Sequence, residues 1–65
     1  MSELQRRTSY IIEQTPKDKH DWGYVETYPD RDVAGRRIAV LRDTRLGLFW
    51  NFRLLQVYEV RTVIE

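Results

Sequence analysis

From Leu46 to Ile64 the chain alternates. Eight of the ten even positions are apolar (Leu46, Leu48, Trp50, Phe52, Leu54, Tyr58, Val60, Ile64), against four of the eleven odd positions from Arg45 to Glu65 (Phe49, Leu55, Val57, Val63). Successive side chains of a strand point to opposite faces, so a period of two predicts extended chain with one face inward. Helical spacing also runs through Leu46, Phe49, Trp50, Leu54 and Val57. That version would place Arg53 on the apolar stripe and put aromatic and β-branched residues at poor helix positions, so strand is the better account. The stretch is too long for one ordinary strand, which predicts a break or bend between Asn51 and Gln56.

Upstream the signals are shorter. Thr8 to Gln14 alternates around Tyr10 and Ile12 and predicts a strand. A second fits Asp21 to Tyr28, with Trp22, Tyr24 and Tyr28 on one face. The apolar run Ile38 to Leu41, framed by Arg36, Arg37 and Arg42, reads as a third. Loops are expected at Thr15–Lys19, at the Pro29–Gly35 segment PDRDVAG, and at the hairpin connection Asp43–Gly47. Ser2 and Gln5 stand at capping-box spacing, so residues 1–7 are expected to be frayed or a short helical turn.

Together these elements predict one mainly β domain over residues 1–65. It would hold four to five short antiparallel strands in meander order, closed into a small barrel or strongly curled, because an open sheet leaves edges exposed. In size and in its Gly35–Leu41 run the chain resembles SH3-like small barrels, a likeness of architecture that rests on no motif. Ile12, Trp22, Ile38, Val40, Trp50, Tyr58 and Val60 are expected to face inward.

A chain this short buries only about 60% of its unfolded surface, and small domains usually add a staple. There is no cysteine for a disulfide, and with His20 as the single histidine no Cys/His zinc site can be assembled. Stability must come from packing, or from burial against another chain. The lack of cysteine, of an apolar signal-peptide core in Met1–Arg7 and of any stretch near ~20 apolar residues leads us to expect a cytoplasmic protein without a membrane span.

No equipment for ordinary catalysis stands out. His20, within KDKHDW, lacks an orienting partner at a telling spacing, and with Asp18 and Asp21 it supplies too few metal ligands. Asp30 and Asp32 suit a turn in which aspartates bond their own backbone amides better than a calcium loop. A ribonuclease built on His20 or Glu26 with arginines for the phosphate has no spacing to support it. Phosphate-cradling, GxSxG and HExxH motifs are missing. We therefore expect no enzyme, no catalytic residue, no cofactor, no metal and no small-molecule substrate.

The charge is uneven. Residues 15–35 carry net −2 and residues 36–53 net +4, within a total of +1. The basic stretch sets Arg36, Arg37, Arg42, Arg45 and Arg53 beside Phe49, Trp50 and Phe52. Phe49 lies off the inward even face and is the ring expected to meet a partner. Tyr, Trp and Arg dominate interface anchors, and the chain has four, two and nine of them. The expectation is a non-catalytic protein-binding module (an adaptor, subunit or inhibitor-type protein) using Arg36, Arg37, Arg42, Arg45, Phe49 and Arg53 toward another protein or a second copy. The alternative is a small nucleic-acid-binding barrel in which those arginines hold phosphates and Phe49 stacks a base.

Overall fold

The computed structural model describes residues 3–64. In chain order it forms β1 (Glu3–Pro16), β2 (Gly23–Tyr28), α1 (Arg31–Asp43), the single-turn α2 (Leu46–Phe49) and β3 (Trp50–Val63). The strands make one open antiparallel sheet in the order β2-β1-β3. This is a mixed α/β fold with three strands, and it corrects the expectation of a four- to five-stranded closed barrel.

The register explains where the core lies. Pro16 stands opposite Trp50, Ile12 opposite Leu54, Thr8 opposite Tyr58 and Leu4 opposite Thr62, without interruption. Even-numbered residues of β1 and β3 therefore share one face. α1 packs on that face, and Ile12, Ile38, Leu41 and Phe52 form the buried cluster, with Val25, Tyr28, Trp50 and Leu54 against it. β2 pairs only with Tyr10–Gln14, through a bulge between Ile12 and Glu13. Beyond Tyr10, β1 and β3 run on as a two-stranded arm, and the molecule measures 51 × 24 × 14 Å.

The helix occupies the region read as loop and strand. Asp30 caps it: its carboxylate accepts from the amides of Asp32 (2.7 Å) and Val33 (3.2 Å). The sequence predicts an aspartate bonding its neighbouring amides, and the structure shows that this turn opens a helix. Ala34, Ile38 and Leu41 then fall at i, i+4 and i+7 and are all buried, while Val33 and Val40 face outward. At the far end the Thr44 hydroxyl donates to the Leu41 carbonyl (2.8 Å). Four consecutive apolar residues suit a strand or a helix equally, and here the flanking positions decide for the helix.

Three further expectations change. Residues 3–7 belong to β1, so no helical turn forms there; Met1 and Ser2 lie outside the described residues. β3 runs through Asn51–Gln56 without the expected break, because the helical ambiguity is resolved earlier: Leu46–Phe49 turn as α2 and the strand begins at Trp50. Of the residues expected inside, Ile12 and Ile38 are buried and Trp50 is half-buried, but Val40, Tyr58 and Val60 are exposed by half or more. Trp22 is half-buried against Arg53, on the face away from α1. Phe52, Leu41 and Ala34 take the core places instead.

Candidate binding surface

The structure divides the six residues singled out from the sequence. Arg37 lies on the flank of α1 and makes a bidentate pair with Glu26 of β2, Nη2 to Oε1 at 2.9 Å and Nε to Oε2 at 3.2 Å. Tyr28 donates its hydroxyl to the same carboxylate. Arg37, through its hydrogen bonds, and then Tyr28 hold the Glu26 pKa below its ordinary value, and the bond to Glu26 raises that of Tyr28. This cluster ties the helix to the outer strand. Arg42 ties it to the opposite edge, its Nη2 donating to the Phe52 carbonyl at 2.9 Å.

Arg53 is an odd-numbered residue of β3 and points to the face without a helix. It donates to Glu13 Oε1 from Nε (2.8 Å) and Nη2 (2.6 Å), and its guanidinium lies 4.2 Å from the centroid of the Trp22 ring. Trp22 is drawn beneath the sheet by the loop before β2. That loop is fastened to the fully buried Thr15, whose hydroxyl accepts from the Asp21 amide (2.8 Å) and donates to the Lys19 carbonyl (3.2 Å). His20 is exposed at its tip.

Arg36, Arg45 and Phe49 are left facing solvent. Arg36 and Arg45 are exposed and make no ion pair among the described residues. Phe49 is 68% exposed. The basic stretch is therefore not one patch: Arg37, Arg42 and Arg53 brace the fold on three sides, and Arg45 and Phe49 remain together at the ends of α2. The sequence reading missed their companions Leu46 and Leu48, which are 46% and 68% exposed. The even-position alternation had assigned both to the inward face, and the turn of α2 breaks that alternation before the strand begins.

Gly47 sets this corner. A Cβ at this position would collide with the Arg42 carbonyl, so α2 rests directly on the backbone at the end of α1. The corner thus presents Leu46, Leu48 and Phe49 beside Arg45 from a turn held by backbone contact. Val40 and Arg36, one helical turn apart, continue the exposed surface along α1.

Among the described residues no pocket opens and no group of three potential metal ligands gathers. No helix among these residues is long and apolar enough to cross a membrane. No known protein family, curated protein or solved structure matches the chain.

Proposed function

We propose that this chain is a non-catalytic protein-binding module that docks through the α1–α2 corner. The observation that carries this reading is the exposure of Leu46, Leu48 and Phe49 on one short turn, next to an arginine without an internal partner. Scattered single apolar residues need no explanation, but a cluster edged by polar groups is typical of a contact surface. Aromatic residues and arginine are also enriched at interfaces relative to the rest of the surface. The partner that fits is a protein offering an apolar recess bordered by carboxylates, which Arg45 and Arg36 would meet.

The nucleic-acid alternative keeps one argument, the pairing of Arg45 with an exposed Phe49. It loses most of its phosphate contacts, since Arg37, Arg42 and Arg53 hold carboxylates or backbone of their own chain. Two remaining contacts would give a salt slope of only about −1.4 in log K against log salt on single strands.

Affinity capture followed by titration of the identified partner tests the proposal. Phe49→Ala is expected to cost about 2 kcal/mol or more of binding while leaving folding intact. Titration with labelled oligonucleotides at low salt is the counterpart. Oligonucleotide binding that Phe49→Ala weakens, with no protein partner that depends on Phe49, would replace this reading by the alternative.

A further inference from the structure

We propose that two copies of this chain pair edge to edge through β3, about a two-fold axis at Gln56, into a six-stranded antiparallel sheet. This goes beyond the α1–α2 corner, which lies outside the paired segment of each copy and would be displayed twice.

The starting point is a long, unbulged edge. β3 is the outer strand of the sheet, fourteen residues long, without proline and without a bulge in its pairing with β1. Proteins usually blunt such edges by shortening, bulging or covering them. The other edge shows that treatment: β2 is six residues long and bulged. The direction of the free groups on β3 follows from one bond. The Lys17 amide donates to the Phe49 carbonyl at 3.1 Å, while Pro16, opposite Trp50, has no N–H to give. Hydrogen-bonded pairs recur every second residue, so odd residues of β3 face β1 and even residues from Phe52 to Thr62 turn their N–H and C=O groups outward, while the Trp50 N–H is already bonded to the Leu46 carbonyl.

A two-fold axis normal to the sheet keeps both helices on one face and sets each β3 residue opposite one of the same parity. Centred on Gln56, it sets Phe52 opposite Val60 of the second copy, Leu54 opposite Tyr58 and Gln56 opposite itself, all pairs with outward-facing backbone. The exposed Tyr58 and Val60 of each arm then lie beside the core residues Leu54 and Phe52 of the other copy. Arg42 already donates to the Phe52 carbonyl, whose second lone pair is available to the Val60 amide.

Charge selects this register. Arg53 falls opposite Glu59 of the second copy. Within each chain Glu13 stands beside Arg53 and Arg7 beside Glu59. The row across four strands therefore reads Glu13, Arg53, Glu59, Arg7, alternating in sign, and the axis repeats it. The next row is apolar or small throughout: Ile11, Leu55, Val57, Ser9. Neighbouring centres do worse. At Val57 the axis opposes Arg53 to Arg61; at Glu59 or Arg61 it sets a charge against itself; at Tyr58 it faces Leu55 with Arg61 and Val57 with Glu59; at Leu55 it faces Arg53 with Val57. Val60 matches Glu59 to Arg61 but confines the pairing to the outer arm.

Sedimentation of the whole chain is expected to give twice its 7.9 kDa mass. A cross-link then reads the register. The chain has no cysteine, so Gln56→Cys introduces one thiol per copy, opposite its mate at a Cα separation of about 5.5 Å, within disulfide reach. It should oxidise to a covalent dimer. Val60→Cys would place its two thiols eight residues apart along the strands, about 27 Å, and should not. Charge swapping supplies a second readout, taken on variants whose circular dichroism matches that of the native chain. Arg53→Glu and Glu59→Arg each oppose like charges in their own dimers and should weaken them about tenfold. An equal mixture restores opposite charges at both sites and should recover the dimer. Sedimentation as a single chain throughout the micromolar range would overturn the proposal. So would a cross-link at Val60→Cys in place of Gln56→Cys, or a mixture that associates no better than its components.

Discussion

The two halves of the β1–β3 ribbon carry the same alternation and meet different fates. In the inner half, Ile12, Phe52 and Leu54 pack with Ile38 and Leu41 of α1. In the outer half, Leu4, Tyr58 and Val60 occupy the same face at the same spacing, and each is exposed by half or more. Alternation thus reports which side chains share a face; it does not report whether anything covers that face. What covers the inner half is a thirteen-residue helix, which ends long before the ribbon does. A small domain with strands longer than its helix leaves apolar surface outside its own core, and that surface is available to other chains.

The comparison breaks most visibly at two aromatic residues of β3 on one face. Phe52→Ala removes a ring that is 5% exposed and is expected to cost about 3–5 kcal/mol, much of what a domain of this size has. Tyr58→Ala, on the arm, is expected to change the stability of the single chain by no more than about 0.5 kcal/mol. Urea denaturation at low protein concentration measures both. Repeating it at high concentration isolates what Tyr58 contributes through association. Equal losses at low concentration would mean that the arm is packed as tightly as the inner half.

Two glycines sharpen the contrast on a smaller scale. At Gly47 an added methyl group meets the Arg42 carbonyl, and neither backbone can yield without moving α2, so Gly47→Ala is expected to cost about 1–3 kcal/mol. At Gly35, within α1, nothing lies within 4 Å of the added carbon. Gly35→Ala should therefore stabilise the chain by about 0.5–1 kcal/mol through helix propensity. Thermal denaturation of the pair distinguishes a glycine required for close approach from one that is merely tolerated. Phe49→Ala binding measured on the Gly47→Ala background would further show whether the corner must be held in its present shape.

These residues also show how much of the fold was legible. The strands expected at Thr8–Gln14 and Asp21–Tyr28, found as Glu3–Pro16 and Gly23–Tyr28, and the extended chain after Trp50 follow from period two and β-branched or aromatic content. The helix was hidden because its apolar residues Ile38–Leu41 are consecutive, and because Pro29, Asp30, Asp32 and Gly35 are turn formers taken one by one. Asp30 four residues before Ala34, with Ile38 and Leu41 following at helical spacing, was the signal available. Reading that helix would also have removed one of the strands expected in a barrel. In the candidate surface, Arg45 and Phe49 were legible from composition and position. The engagement of Arg37, Arg42 and Arg53 was not, because Glu26, Phe52, Glu13 and Trp22 come within reach only through the fold.

The smallest expected effect concerns the polar cluster of Glu26, Arg37 and Tyr28 that ties the helix to β2. The folded chain lowers the pKa of Glu26 below 4.5, chiefly through the Arg37 hydrogen bonds, so the carboxylate form is favoured on folding. Its contribution is complete above 4.5 and disappears as pH falls through the lowered value. Tyr28 shifts the other way: its hydroxyl donates to Glu26, which raises its pKa above 10.0 and favours the neutral form on folding. That contribution is complete below 10.0 and disappears as pH rises through the raised value. Glu26→Gln removes the acceptor charge common to both, so the stability difference between the native chain and this variant should be flat between the two limits and shrink toward each. Tyr28→Phe should lose the alkaline limb and keep most of the acid one. A pair this open to solvent contributes little, so the differences are best read as shifts in urea midpoint across a pH series. A Glu26→Gln difference that persists undiminished at acid pH would mean that the carboxylate matters through packing of its neutral form, and that α1 is held to the sheet by Arg42 and the core alone.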